Sequence, residues 1–96
     1  KARIGAVARA VIDDGGQDAE FAIIVGREIG NSGLGTYLLG RIIEWSRKKG
    51  LQSLYGDVMI ENRRMLRLAK RLGFTFQRHP DDPQIVRVVR ALEDGS

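Results

Sequence analysis

Gly30, Gly33 and Gly35 fall close together in the stretch IVGREIGNSGLGTYLLGRIIEWSRKKG, Ile24 to Gly50. An apolar run precedes them and a helical pattern follows. Each glycine costs conformational entropy on folding, so three at one strand-to-helix turn ask for a reason. A helix N-terminus offers unpaired N–H groups and the positive end of the macrodipole. Without Cβ atoms, a phosphate can come close to that backbone. The combination makes a pyrophosphate cradle. The spacing Gly30-x-x-Gly33-x-Gly35 is not the dinucleotide G-x-G-x-x-G, and no Gly-Lys-Ser/Thr follows as in a P-loop. Taken alone, an ordinary glycine turn with a capped helix satisfies the same residues.

Glu20, in AEFAIIV, is a carboxylate at the head of an otherwise apolar strand. Partial burial at that place disfavours the ionised form. That suits a general base, which must take a proton from an ammonium nucleophile directly or through water. The plain alternative is a solvated glutamate beside a hairpin turn. Asn62 opens the segment ENRRMLRLAKRLGF, where an N-cap role already explains it. Arg63, Arg64, Arg67, Lys70 and Arg71 make a basic face there, most simply a solvated one. His79 stands alone before Pro80 and reads as structural. With one histidine and no cysteine, no metal-ligand spacing is present.

These residues need elements to hold them. Residues 2–12 read as a strand, with Ile4, Ala6, Ala8 and Ala10 on one face and Val7 and Val11 on the other. DDGGQD is a turn. Residues 19–26 read as a strand buried on both faces, paired with the first as an antiparallel hairpin. Leu34, Leu38, Ile42 and Trp45, widened by Leu39 and Ile43, predict a helix from about Leu34 to Lys49 and a core place for Trp45. Asn31 or Ser32 can cap its start. Leu51 to Ile60 is a second buried strand. A second helix over Arg63 to Leu72 is capped by Asn62 and ended by Gly73. FTFQRH and QIVRVVRAL then read as two strands joined by PDDP. The order is β-β-α-β-α-β-β. This predicts a mixed α/β (α+β) domain with a mixed sheet, its middle strands parallel through a right-handed crossover. The βα turn with the glycines sits at the carboxyl end of a parallel strand, where open sheets bind ligands.

Bulk properties set the frame. The 96 residues suit one small domain, 1–96, and 43% hydrophobic with 29% charged residues is ordinary for a globular chain. Sixteen Lys and Arg against twelve Asp and Glu leave a net charge of +4, which favours anionic partners. The absence of cysteine excludes a disulfide scaffold and is compatible with a reducing cytoplasm. No apolar segment approaches the roughly 18 residues of a membrane span. The first residues, KARIGAVARAV, are too interrupted for a secretory signal.

Together, a strand, V-x5–7-G-x-G opening a helix, a strand, and N-x5-L-x4-GF (Asn62, Leu68, Gly73, Phe74) resemble the GNAT superfamily of acyl-CoA-dependent N-acetyltransferases. The likeness covers about residues 5–90. It is closest to the GNAT domains of bacterial protein-lysine acetyltransferases, whose second motif is also rich in Arg and Leu. The resemblance implies transfer of an acetyl group from acetyl-CoA to an amine, plausibly a protein lysine, with no metal. It implies that the backbone of Ile23, Ile24 and Val25 pairs with the pantetheine arm, with the Val25 amide as oxyanion donor. Gly30, Asn31, Ser32, Gly33, Leu34, Gly35 and Thr36 would hold the CoA pyrophosphate through N–H groups. Asn62 would contact the pantetheine or the departing thiol. Glu20 would be the base.

The chain departs from that pattern in three places. Gly30 stands where a Gln or Arg usually opens the phosphate loop. The helix tyrosine that protonates the leaving thiolate is Ala69, which leaves Tyr37 and Tyr55 as candidates by chemistry alone. The family's first strand and first two helices are absent, so a truncated domain with an exposed sheet edge is expected, open to pairing in a homodimer. The alternative function is a non-catalytic acyl-CoA sensor. A nucleic-acid-binding domain is disfavoured, since no aromatic residues interleave the basic cluster.

Overall fold

The computed structural model describes residues 6–25 and 33–92. The strands are β1 (Ala6–Ile12), β2 (Asp18–Val25), β3 (Ser53–Met59), β4 (Thr75–Arg78) and β5 (Ile85–Ala91), with helices α1 (Leu34–Lys48) and α2 (Arg63–Arg71). They form one five-stranded mixed sheet in the order β1-β2-β3-β5-β4. The expected order and class hold. β1 and β2 form the antiparallel hairpin, with Val11 opposite Glu20 and Val7 opposite Ile24. β2 and β3 are parallel, as the crossover through α1 requires. β3 pairs with β5 antiparallel along its length, Asp57 facing Arg87.

One core lies on one face of the sheet. Ala19, Phe21, Leu54, Val58 and Val88 point into it from the strands, and Leu39, Ile43, Leu68 and Ala69 from both helices. The strands are therefore one-sided, which corrects the reading of β2 and the Leu51–Ile60 strand as buried on both faces. Ala19 and Phe21 are buried while Ala22 and Ile24 are exposed, Ile24 by 69%. In β3, Leu54, Gly56 and Val58 are buried, and Asp57 and Met59 are exposed. Apolar runs alone do not distinguish a two-sided strand from a one-sided one whose outer residues are also apolar.

The buried line of α1 runs through Leu39, Ile43 and Ser46. Leu39 and Ile43, expected to widen the stripe, are its deepest apolar residues, while Leu34, Leu38 and Ile42 are half-buried. Ser46 replaces an apolar residue there because its hydroxyl donates to the Ile42 carbonyl at 2.8 Å. Trp45 is 37% exposed, which corrects its core assignment. The Lys49 ammonium sits 5.9 Å from its ring centroid instead. Gly33 is the N-cap of α1, with φ 85° and no side-chain cap bond, so the expected Asn31 or Ser32 cap is replaced by a left-handed glycine. Asn62 does cap α2, its side-chain oxygen accepting from the Met65 N–H at 3.2 Å. Gly73, with φ 95°, ends that helix as expected.

Candidate active site

The site begins where two strands part. β2 and β3 pair at Asp18–Ser53, Ala19–Leu54 and Glu20–Tyr55. Beyond Glu20, β2 runs on to Val25 and β3 to Met59 without further pairing. The backbone groups that would have closed this gap are left for another partner. Strand alternation says which ones they are. The Asp13 N–H bonds the Asp18 carbonyl, so the even-numbered residues of β2 turn their backbone groups to β1. Ile24 is spent on Val7 in this way. Ile23 and Val25 face the fork. On the other wall, the Ile60 N–H bonds the Gln84 carbonyl, so Asp57 and Met59 turn their backbone groups toward the fork. Of Ile23, Ile24 and Val25, alternation thus offers the first and last to a ligand and withdraws Ile24.

Past the end of β2 the chain leads to α1. The Tyr37 N–H is bonded to the Gly33 carbonyl at 3.0 Å, closing the first turn. Gly35 and Thr36 stand ahead of that bond, where helix N–H groups have no helical acceptor. A Cβ built on Gly33 would meet nothing within 4 Å, and Gly33 is exposed. The N-terminus of α1 is open on that side. Leu34 is half-buried at its rim. Gly30, Asn31 and Ser32 lie outside the described residues. Asn62 follows the end of β3. Its Oδ1 is taken by the Met65 N–H, which leaves its amide NH2 to donate outward.

Glu20 sits at the fork on the sheet face opposite the core. It is exposed, so the partial burial expected of it is not found. Its neighbours in register are Val11 and Tyr55. Around it lies a polar array that sequence reading did not anticipate. The Tyr55 hydroxyl donates to Asp13 at 3.0 Å. The Arg87 guanidinium lies 5.3 Å from the Tyr55 ring centroid and holds Asp57 with two bonds, Nε to Oδ1 at 2.8 Å and Nη2 to Oδ2 at 3.2 Å. His79 Nε2 is 3.5 Å from the Asp57 carboxylate, and its Nδ1 accepts from the Asp81 N–H at 3.1 Å. Both ring nitrogens are engaged, in keeping with a structural histidine. The signal was present in SLYGDVM, whose alternation puts Ser53, Tyr55 and Asp57 on one face.

Tyr55, Asp57 and Arg87 titrate away from their ordinary values, the Arg87 guanidinium being raised first by its bond to Asp57. Burial first, then the hydrogen bond and charge of Asp13 with Glu20 beyond, push the Tyr55 phenol up to about 12, against the pull of Arg87. The bond from Arg87 holds the Asp57 carboxyl below the usual range, against a smaller effect of burial. Tyr55 is therefore a poor proton donor to a thiolate. Ala69 is fully buried and offers none. Tyr37 is exposed on the first turn of α1, its oxygen 3.5 Å from Arg41 Nη1. The described residues also carry a shallow cleft of about 600 Å³ lined by Arg47, Ser53, Thr75 and Arg90, and none of the candidate residues lines it.

A mixed sheet that forks beside a glycine-opened helix is the architecture of the acyl-CoA-dependent transferases that the motifs resemble. Residues 2–74 match the family model described as "Acetyltransferase (GNAT) family", and the chain belongs to that family. Among solved structures, yncA of Salmonella typhimurium, assigned as an acetyltransferase and solved with its cofactor acetyl-CoA, has a TM-score of 0.80 at 21% identity. The match covers 96% of this chain and 60% of that one. The GNAT domain of PAT from S. lividans gives 0.78 at 24% identity, over 91% of this chain and 53% of that one. A chimera of the spermidine N-acetyltransferase SpeG from Vibrio cholerae and hSSAT gives 0.76 at 20%, over 94% and 62%. At these identities the likeness establishes the fold. The chain spans less than two thirds of the length of each. Among the described residues, no helix is long and apolar enough to cross a membrane.

Proposed function

We propose that the chain is an acyltransferase domain that moves an acetyl group from acetyl-CoA to an amine, with a protein lysine as acceptor. The observation that carries this is the fork: β2 and β3 separate after Glu20–Tyr55 and leave the Ile23 and Val25 backbone unpaired beside an open helix N-terminus. Bound there, acetyl-CoA would supply a thioester carbon for the amine nitrogen to attack. Ile23 and Val25 hold the pantetheine arm in register, as a missing strand would be held. The Val25 N–H takes the charge that grows on the carbonyl oxygen in this proposal. Gly33, Gly35 and Thr36 hold the diphosphate by N–H groups and helix dipole.

Glu20 takes the proton that the amine must lose. Its place at the fork supports this, beside the Ile23 and Val25 backbone and on the open sheet face that an acceptor can reach from solvent. No tyrosine is needed to protonate the departing thiolate, because a thiolate is a tolerable leaving group. The 1–96 unit works as a single acyltransferase domain in this reading, in the cytoplasm. A second copy pairing on an open sheet edge is part of the same reading. Val7 and Val11, both exposed on the outermost strand β1, support it.

Isothermal titration with acetyl-CoA and CoA, followed by turnover on lysine peptides and on small amines, tests the proposal. Glu20→Gln should lower kcat by about 10²–10⁴ while leaving coenzyme affinity and folding intact. Coenzyme binding with no turnover in either form would make the chain a sensor. Absence of coenzyme binding would end the proposal. Light scattering at high concentration tests the dimer, which a monomer would overturn.

A further inference from the structure

Resting on the acyl-transfer reading, the next question is what fixes the place where the strands part. The last pair is Glu20–Tyr55, so the next register position brings Phe21 beside Gly56. Phe21 points to the core side and is 5% exposed. Its ring atoms Cε2 and Cζ lie 2.7 Å from where a Cβ on residue 56 would stand, and Cδ2 lies 3.0 Å away. The ring thus lies across the neighbouring strand, in space that only glycine leaves open. A glycine inside a strand weakens it and marks a close approach. Here the ring covers the backbone that the glycine bares.

The ring is also held from behind. Phe74 meets it edge-on, with centroids 5.5 Å apart and planes at 66°. Phe74 is itself set by the end of α2, where its N–H bonds the Ala69 carbonyl at 3.0 Å. A core phenylalanine needs hydrophobic neighbours, but it does not need a glycine opposite. The additional feature is the location: Phe21 and Glu20 are successive residues, one on each face of the sheet, at the vertex of the fork.

We propose that Phe21 is a positioning residue. Its ring, seated on Gly56 and backed by Phe74, fixes the vertex and so sets the Ile23 and Val25 amides against the Glu20 carboxylate. Moving the seat shifts the ligand-holding amides relative to the base. The reaction step should therefore suffer, and the pantetheine contacts at Ile23 and Val25 with it, while the diphosphate grip is kept.

Phe21→Leu, Gly56→Ala and the double variant test this. Each single variant should lower kcat by about tenfold or more, since small misplacements at a reacting centre are costly. The dissociation constant for CoA should rise by less than kcat falls, because the diphosphate grip is kept while the pantetheine contacts at Ile23 and Val25 shift. The double variant relieves the clash of Ala at 56 with the ring. It should regain the melting temperature lost by Gly56→Ala and keep the low kcat. Single variants with native kcat, or a double variant that recovers kcat together with stability, would overturn the assignment. A measurement without ligand keeps the question separate from the function itself. In the free chain, the Ile23 and Val25 amide resonances should move in Phe21→Leu while those of Gly33 and Gly35 stay. Unmoved Ile23 and Val25 resonances overturn the positioning role even if the chain proves to bind no coenzyme. Gly56→Ala carries the same measurement should Phe21→Leu fail to fold.

Discussion

The Tyr55 hydroxyl donates to both carboxylate oxygens of Asp13, at 3.0 and 3.1 Å, and so ties the middle of β3 to the turn after β1. The bond crosses β2 beside Glu20. Burial, the Asp13 bond and the Asp13 and Glu20 charges raise the phenol from 10.0 to about 12. A folded-state value above the unfolded one means the neutral phenol stabilises the fold. That contribution is complete below pH 10 and is lost as pH rises through about 12. Ultraviolet titration of phenolate should show a late step near that value, absent in Tyr55→Phe and shifted down in Asp13→Ala. A Tyr55 step that stays put in Asp13→Ala would count against this linkage.

The paired Asp57 and Arg87 side chains give the opposite dependence. Arg87 holds the Asp57 carboxyl below 3.8, with the Arg87 bond the largest cause. A lowered folded-state value means the ionised form stabilises, so the contribution is present above pH 3.8 and fades as pH falls through the folded value. Asp57 and Arg87 are 25% and 32% exposed, so water screens the pair in part. Asp57→Asn should cost about 0.5–1 kcal/mol at neutral pH. Denaturant melts at falling pH should show the native and Asp57→Asn curves converging below pH 3.8. A difference that persists into strong acid would point to packing instead of charge.

Much of this architecture was legible in the residues, for identifiable reasons. The hairpin, the crossover and both helices follow from turn chemistry and period, which local sequence carries. The Asn62 cap and the Gly73 stop are local too. What could not be read was whatever depends on register between distant segments. Whether Glu20 is buried depends on what lies over the open sheet face. That Phe21 seats on Gly56 depends on β2 and β3 lying side by side across the α1 crossover. That Leu39 and Ile43 lie deeper than Leu34, Leu38 and Trp45 depends on how the helix is rotated on the sheet, and the buried Ser46 carries no apolar signal. The cap of α1 went to Gly33 because a left-handed turn there brings the chain into the helix.

Asn62 has a known structural duty and a proposed chemical one, and substitution can separate them. Its Oδ1 accepts the Met65 N–H at 3.2 Å. Asn62→Ala removes the cap and should cost about 1 kcal/mol of stability. Asn62→Asp keeps an acceptor oxygen and should melt like the native chain or slightly above it, since α2 has no acid in its first turn. The aspartate lacks the donating NH2, however. If that group meets the pantetheine or thiol, coenzyme affinity falls in Asn62→Asp while stability does not. Equal affinity in the two proteins would leave Asn62 as a helix cap only.

Gly33 brings backbone geometry and ligand access to one residue. With φ 85°, an L side chain is strained there whatever the room. Gly33→Ala should therefore cost about 1 kcal/mol through conformation alone, because its Cβ meets no atom within 4 Å. Asparagine visits this region more readily, so Gly33→Asn should lose less stability. Ligand binding should rank the variants differently. In the proposed binding mode any Cβ at residue 33 stands in the path of the diphosphate to the N-terminus of α1, and asparagine adds more bulk than alanine. Thermal melts should thus order the variants native, Asn, Ala, and titration with CoA should order them native, Ala, Asn. Should affinity simply follow stability, the open side of Gly33 is not where the diphosphate sits.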